Sequence, residues 1–171
     1  MWNKPLACFI TFTTYGTWLH GDSRGSFTVK DHSTNVVLPC EKLHQSVQSQ
    51  LKYPTVVLDA IQREIVLETI RRHCCLKDWN LLAAHVRTNH VHLLVQSNET
   101  PEKVMQDIKA WCTPRLRESG MEIEKVWTRH GSTKYVFTHE KLLEKIHYIV
   151  FEQGEPMECY IDETFRQRWS G

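Results

Sequence analysis

Two histidines separated by one residue, His90 and His92, are the side chains of this sequence whose type and spacing most directly suggest chemistry. They lie in the apolar run 89–95 (NHVHLLV), which is typical of a β-strand. Because side chains alternate between the faces of a strand, both imidazoles are expected on one face and Val91 on the other. Half-buried imidazoles need hydrogen bonds or a metal ion. The sequence therefore predicts a metal-binding pair, with a purely structural pair as the alternative.

A phenol and a carboxylate follow near the end of the chain, at Tyr148 and Glu152. Residues four apart share one face of a helix, so both side chains can point at one spot. If that spot is the histidine pair, a bound divalent cation would polarise a phosphoryl oxygen, and the tyrosine oxygen would act as a covalent nucleophile. The alternative is that Tyr148 is a packing aromatic of an amphipathic helix, with its hydroxyl at the surface.

The elements that must position these groups follow from hydrophobic periodicity and from turn and capping residues. Strands are predicted at 6–15, 79–86 and 90–96, a short hairpin at 124–128 and 134–137, and helices at 57–76, 101–119 and 139–153. The hairpin is expected to turn at 129–132, and Pro114 is expected to kink or break its helix.

The order strand, helix, strand, strand, helix, strand predicts an α+β fold of the ferredoxin-like (β-α-β-β-α-β) type. Such a fold has an antiparallel sheet with helices on one face, which leaves the other face open for ligands. The additional C-terminal helix carries Tyr148. At this length the chain is expected to form a single domain over 1–171, with a partly helical insertion at 28–53 and a C-terminal tail at 157–171.

Composition restricts the class of protein. No apolar run is long enough for a membrane helix, and no secretion signal is recognisable. The six cysteines form no C-x-x-C pair, which argues against a zinc knuckle or a redox motif and favours reduced thiols in a cytoplasmic protein. The net charge of +1 is not that of a strongly basic nucleic-acid binder. Any contact with DNA must therefore come from local basic patches.

The segment 86–92 (VRTNHVH) resembles the HUH motif of the single-tyrosine transposases. The segments 11–19 (TFTTYGTWL) and 126–132 (VWTRHGS) are similar to the branch of REP-associated tyrosine transposases within that superfamily. The resemblance extends over about 6–153. It implies a ferredoxin-like HUH endonuclease that cleaves and rejoins single-stranded DNA, near hairpins, through a 5′-phosphotyrosine intermediate and a released 3′-hydroxyl.

Carried over to this sequence, the resemblance implies that Tyr148 is the nucleophile and that His90, His92 and Glu152 bind Mg²⁺ or Mn²⁺. The chain departs from REP-associated relatives in having Glu152 where an asparagine is common. A carboxylate also suits a hard cation. Gln153 is the fallback ligand if the helix register differs by one residue. Single-stranded or hairpin DNA is the expected partner, and both a monomer and a homodimer, with the tyrosine used in cis or in trans, remain open.

Several other residues are candidates for supporting roles. Tyr15, Trp18 and Trp127 are candidates for stacking on unpaired bases, and Arg129 and His130 for contacting DNA phosphates. His85 would face His92 across the hairpin if the connecting turn has two residues, and would face away from it if the turn has three. Two other functions remain as alternatives: a domesticated DNA-hairpin-binding protein that has lost cleavage, and a metal-dependent phosphodiesterase without a covalent intermediate.

Overall fold

The computed structural model describes residues 4–20, 22–23, 26–30 and 33–169. The strands of this part of the chain are β1 Ala7–Thr14, β2 Ser26–Lys30, β3 Ser33–Val37, β4 Asn80–Val86, β5 His90–Gln96, β6 Trp127–Val136 and β7 Glu158–Ile161. Its α-helices are α1 Glu41–Ser49, α2 Ala60–Leu76, α3 Pro101–Glu118, α4 His139–Phe151 and α5 Glu163–Arg166. A 3₁₀ turn, Gln167–Trp169, follows α5.

Five of the strands form one antiparallel sheet in the order β6-β1-β5-β4-β7. Helix α2 connects β1 to β4, and α3 connects β5 to β6. The order β6-β1-β5-β4 is that of the predicted ferredoxin-like fold, which is therefore confirmed. Strand β7 extends the sheet beyond β4. It lies in the segment 157–171, which is predicted from the sequence to be a C-terminal tail. Strands β2 and β3 pair separately as a two-stranded hairpin.

The two faces of the sheet build two hydrophobic clusters. Helices α2 and α3 cover one face, where β1 contributes Ile10 and Phe12 and β5 contributes Val91 and Leu93. Helix α4 covers part of the other face and packs on Phe9, Leu82, Ala83 and Leu94. The face predicted to be open is thus partly covered by the helix that carries Tyr148. No helix among the described residues has the length and apolar character needed to span a bilayer.

The hairpin predicted around 129–132 is wrong, because β6 runs without interruption from Trp127 to Val136. Gly131 lies in the middle of this edge strand and pairs with Phe12 of β1. A Cβ at this position would come within 2.5 Å of both the Thr11 carbonyl oxygen and the Met105 sulfur. The glycine therefore permits a close approach of strand and helix and does not make a turn.

Of the kink or break predicted at Pro114, the break is wrong, since α3 continues to Glu118. Proline removes the hydrogen bond to the carbonyl four residues earlier, at Ala110. Both residues are exposed, so water can satisfy that carbonyl. The buried stripe Ile108, Cys112 and Leu116 packs on the core on both sides of the proline and holds the helix together.

The segment 28–53, predicted as a partly helical insertion, contains one helix and strand residues. Its helix is present as α1, which matches the helical pattern predicted at about 41–51. The hairpin of β2 and β3 was not predicted, because its polar composition gives a weak strand signal.

Candidate active site

The histidine pair lies on β5, on the face of the sheet that α4 covers. His92 is buried, His90 is half-buried, and their ring centroids are 4.8 Å apart. Strand β5 lies between β1 and β4, with Thr11 and Thr13 of β1 opposite His92 and His90. The predicted placement of both rings on one face is therefore present in the fold.

The Nδ1 atoms of both histidines have hydrogen-bond partners. His90 Nδ1 lies 2.7 Å from Asn89 Oδ1, and His92 Nδ1 lies 2.7 Å from Thr11 Oγ1. Because an amide oxygen only accepts, His90 must donate from Nδ1, which leaves the lone pair of the neutral ring on Nε2. Partners of this kind fix the tautomer and orientation of metal-binding histidines. Sequence reasoning missed both partners, although Asn89 lies within the motif itself.

Burial and the neighbouring ring of His90 lower the pKa of His92 to about 3. The desolvation of the buried ring is the larger cause, and the positive charge that His90 can carry adds to it. His92 is therefore neutral at physiological pH. A neutral imidazole has the lone pair that metal binding requires.

Helix α4 brings Tyr148 to the histidine pair. The helix begins at the N-cap Thr138, whose hydroxyl accepts from the Lys141 amide, and it buries Leu142, Ile146 and Ile149 against the sheet. The Tyr148 ring then lies 5.5 Å from the His92 ring, between centroids, and 6.0 Å from the ring of Phe9. The fold thus brings together three of the four residues selected from the sequence.

The fourth residue, Glu152, is directed elsewhere. It is the C-cap of α4, and its Oε1 lies 2.8 Å from His147 Nδ1 in a pair with more than half of the Glu152 side chain exposed. Within the described residues, no third His, Cys, Asp or Glu joins the two histidines in a group that could hold a metal. In a continuous helix, the i, i+4 spacing would place Glu152 on the same face as Tyr148. The helix ends at Phe151, so Glu152 does not follow helical geometry.

Gln153, the fallback residue, does reach the site. Its side chain comes close enough to the His92 ring to oppose the lowering of the His92 pKa, and its Nε2 donates to the Tyr148 carbonyl at 2.9 Å. Gly154 follows with a φ of +77°, a backbone conformation that glycine adopts readily. The turn at the end of α4 therefore folds the Gln153 amide back over the sheet face.

His85 faces His92 across the β4–β5 hairpin, because the turn contains only Thr88 and Asn89. Its ring is buried, and it bridges two backbone groups: Nδ1 lies 2.8 Å from the Ile149 carbonyl, and Nε2 accepts from the Met157 amide at 3.3 Å. Burial lowers the pKa of His85, against the opposing effect of the Ile149 carbonyl. His85 thus ties the end of α4 to β4.

The residues predicted to contact DNA lie at the end of β1, in the loop after it and on the edge strand β6, where Trp127 is buried. Tyr15 packs against Tyr53 with the Lys125 ammonium over its ring, and Trp18 is 42% exposed in the following loop. Arg129 and His130 are exposed on the edge strand β6.

Comparison with known proteins identifies a family and a similar solved structure. A family model described as "Transposase IS200 like" matches residues 42–140, a range that contains the histidine pair and ends before Tyr148. A solved structure titled "Structure of the REP associates tyrosine transposase bound to a REP hairpin" is similar over 89% of this chain and 69% of that chain. The two have 10% sequence identity and a TM-score of 0.49. No curated protein matches the sequence.

Proposed function

Because the chain belongs to the family of IS200-like transposases, we propose that it is a metal-dependent, REP-associated type of HUH transposase that cleaves and rejoins single-stranded DNA, with Tyr148 as the nucleophile. The observation that carries the proposal is the contact of Tyr148 with His92 at 5.5 Å between ring centroids, with His90 beside it. These side chains come from separate elements, β5 and α4, and converge on one face of the sheet.

The proposed reaction exchanges one phosphodiester for another. A bond forms between the Tyr148 oxygen and phosphorus, and the bond from phosphorus to the 3′ oxygen of the preceding nucleotide breaks. The phenolic proton passes to solvent, and the departing oxygen takes up a proton to become a 3′-hydroxyl. The product is a 5′-phosphotyrosine linkage. Attack by a 3′-hydroxyl on that linkage reverses the step, so rejoining needs no nucleotide energy source.

The residues present fit a divalent metal ion. With both Nδ1 atoms held by Asn89 and Thr11, the Nε2 atoms of His90 and His92 would be the ligands. The closeness of the Gln153 side chain to the His92 ring supports its amide oxygen as the third ligand. Glu152 is the alternative, and it would first have to leave His147. Mg²⁺ or Mn²⁺, when bound, would stabilise negative charge on the phosphoryl oxygens.

Hairpin-forming single-stranded DNA is the proposed substrate, and Tyr15, Trp18, Arg129 and His130 remain proposed contacts to it. The exposed ring of Trp18 and the exposed side chains of Arg129 and His130 support this role. Tyr148 and His92 meet within one chain, which supports cleavage in cis by a monomer over exchange of tyrosines in a homodimer. The cytoplasmic location remains a prediction.

The test mixes the protein with labelled, hairpin-containing single-stranded DNA and Mn²⁺ and looks for a protein–DNA adduct that survives denaturation. We expect the adduct with wild type and with Tyr135→Phe, a control at an exposed tyrosine of β6, and its loss with Tyr148→Phe. Hairpin binding by a wild type that forms no adduct would favour the binding protein without cleavage. Turnover without any adduct would favour the phosphodiesterase.

A further inference from the structure

Lys145 is the cationic side chain of α4 that reaches the tyrosine. It precedes Tyr148 by three residues, so both lie on the same side of the helix. Its ammonium lies 5.4 Å from the centroid of the Phe9 ring and 5.7 Å from that of Tyr148. Because two aromatic faces hold the ammonium, the charge is fixed beside the nucleophile.

The Lys145 ammonium can donate further hydrogen bonds to a ligand. An ammonium has three N–H donors, and Lys145 hydrogen-bonds Glu144 Oε1 at 3.3 Å. The same carboxylate makes a shorter bond, 2.7 Å, to Lys141 through its other oxygen. The Lys145 side chain is 27% exposed and that of Lys141 is 61% exposed. Lys145 is therefore the less hydrated of two neighbouring lysines that share one carboxylate.

The chemistry of the proposed step calls for a cation at this position. The phosphorus must come within about 3–3.5 Å of the Tyr148 oxygen before attack. The non-bridging oxygens of a phosphodiester in that position would lie next to the Lys145 ammonium, which is beside the Tyr148 ring. Charge builds on these oxygens in the transition state, and a preorganised donor in a partly dehydrated site stabilises it more strongly than water does.

We propose that Lys145 is a catalytic residue that donates a hydrogen bond to a non-bridging oxygen of the phosphodiester that Tyr148 attacks. The inference rests on the proposed function, since it needs Tyr148 as the nucleophile. Lys134 lies on the same face, directly opposite Phe9 on the edge strand β6, and is exposed.

The test compares Lys145→Met, Lys145→Arg and the control Lys141→Met in two measurements with Mn²⁺. One is the single-turnover rate constant of adduct formation at saturating protein, and the other is the Kd for the uncleaved hairpin DNA. We expect Lys145→Met to lower the rate constant by about 100-fold and to change the Kd by less than about threefold. Arginine should restore the rate constant to within about tenfold of wild type, since it also donates to phosphate. Lys141→Met should leave both quantities within about twofold.

Two outcomes overturn the inference alone: an unchanged rate constant in Lys145→Met, or a loss confined to the Kd, while wild type still forms its Tyr148-dependent adduct. A wild type that forms no such adduct overturns the proposed function and this inference with it. If Lys145→Met does not fold, Lys145→Gln is judged by the same two criteria.

Discussion

The end of α4 offers two oxygen-bearing side chains to the histidine pair, and they are adjacent in sequence. The Gln153 side chain lies beside the His92 ring, whereas Glu152 pairs with His147 at the surface. A carboxylate binds a hard cation more strongly than an amide does, but the amide needs no rearrangement. The Mn²⁺ affinities of variants at the two positions distinguish which side chain is the ligand.

We expect Gln153→Ala to weaken Mn²⁺ binding by about tenfold or more, because the amide would be lost from the ligand set. Glu152→Ala should stay within about threefold of wild type, since its carboxylate lies at His147. Isothermal titration calorimetry of Mn²⁺ in the absence of DNA measures both affinities. The reverse order of effects would assign Glu152 as the ligand, and equal small effects would remove both.

Sequence reasoning identified the residue types of this site but not the direction of each side chain. The H-x-H spacing was sufficient for His90 and His92, because a strand has a fixed period of two. The i, i+4 rule was insufficient for Glu152, because it holds only inside a helix and α4 ends at Phe151. The direction of Glu152 and Gln153 depends on the turn at Gly154, whose geometry no local pattern specifies.

His73, on α2, is a buried histidine outside the site. It lies between Trp79 and Trp111, and neither ring nitrogen has a hydrogen-bond partner among the described residues. Burial lowers the pKa of His73, and the nearby Asp107 opposes that shift. The ring is therefore neutral in the folded protein and costs stability, because its polar atoms are dehydrated without compensation.

We expect His73→Leu to raise the free energy of unfolding by about 1 kcal/mol at pH 7.5 and by more at pH 5.5. Below the usual histidine pKa of about 6.5, the unfolded chain binds a proton that the folded protein does not, so wild type loses stability as the pH falls. Leucine removes that loss. Urea unfolding at the two pH values measures the difference, with the exposed His139→Gln as the control. A pH dependence equal to that of wild type would contradict the prediction.

At the scale of elements, β6 contacts both α3 and β1, the strand that contributes Thr11 to the site. Lys109 of α3 donates to the Thr128 and His130 carbonyls at 2.9 and 3.1 Å, and its ammonium lies over the Phe12 ring. Burial lowers the pKa of Lys109 to about 8. Gly131 allows β6 to lie close to α3 and to the Thr11 carbonyl. Because β6 pairs with β1, a shift of β6 would move Thr11, which hydrogen-bonds His92.

We expect Gly131→Ala to lower the free energy of unfolding by about 1–3 kcal/mol, because its Cβ would meet the Thr11 carbonyl oxygen and the Met105 sulfur at 2.5 Å. The substitution should also weaken Mn²⁺ binding, since Thr11 holds His92. Ser132→Ala, at the next, exposed position of β6, is the matched control and should change stability by less than about 0.5 kcal/mol. Urea unfolding and calorimetry measure the two effects, and equal stabilities of the two variants would show that the strand can shift at little cost.

The predicted elements were correct where periodicity is strong and incorrect where one residue type has two uses. Helix α2 and strands β4 and β5 agree with the hydrophobic pattern to within a few residues. Gly131 was taken as a turn residue, yet glycine also serves where backbones approach closely. Strand β7 was missed because a half-exposed edge strand of four residues carries too little pattern to distinguish it from a tail.

At the scale of the whole molecule, the segment 154–158 returns the chain from α4 to β7 and is held by three side chains from earlier elements. The Met157 amide donates to His85, the Glu155 carbonyl accepts from Arg87, and the Glu158 carboxylate pairs with Arg63 of α2. Pairing of β7 with β4 completes the attachment. The order of the sheet was predictable from the sequence of elements, but this return was not, because it depends on contacts between residues far apart in the chain.

The segment 154–158, here called the return segment, directly follows Gln153 and is attached to α2 through the pair of Glu158 and Arg63. The position of Gln153 can therefore be tested by a substitution far from the site. We expect Glu158→Gln to lower the free energy of unfolding by about 2 kcal/mol, because Arg63 is only 14% exposed and would lose its carboxylate partner. Adduct formation should slow as well, since the end of α4 would be less firmly held.

Glu68→Gln is the matched control for Glu158→Gln. Glu68 pairs with Arg71 and Arg72, which are 52% and 69% exposed, so its loss should cost less than about 1 kcal/mol. Urea unfolding and single-turnover adduct formation report the two quantities for both variants. If Glu158→Gln lost stability while the rate of adduct formation stayed that of wild type, the return segment would serve the fold alone. Equal small losses in the two variants would mean that the Arg63 pair contributes no more than a surface ion pair.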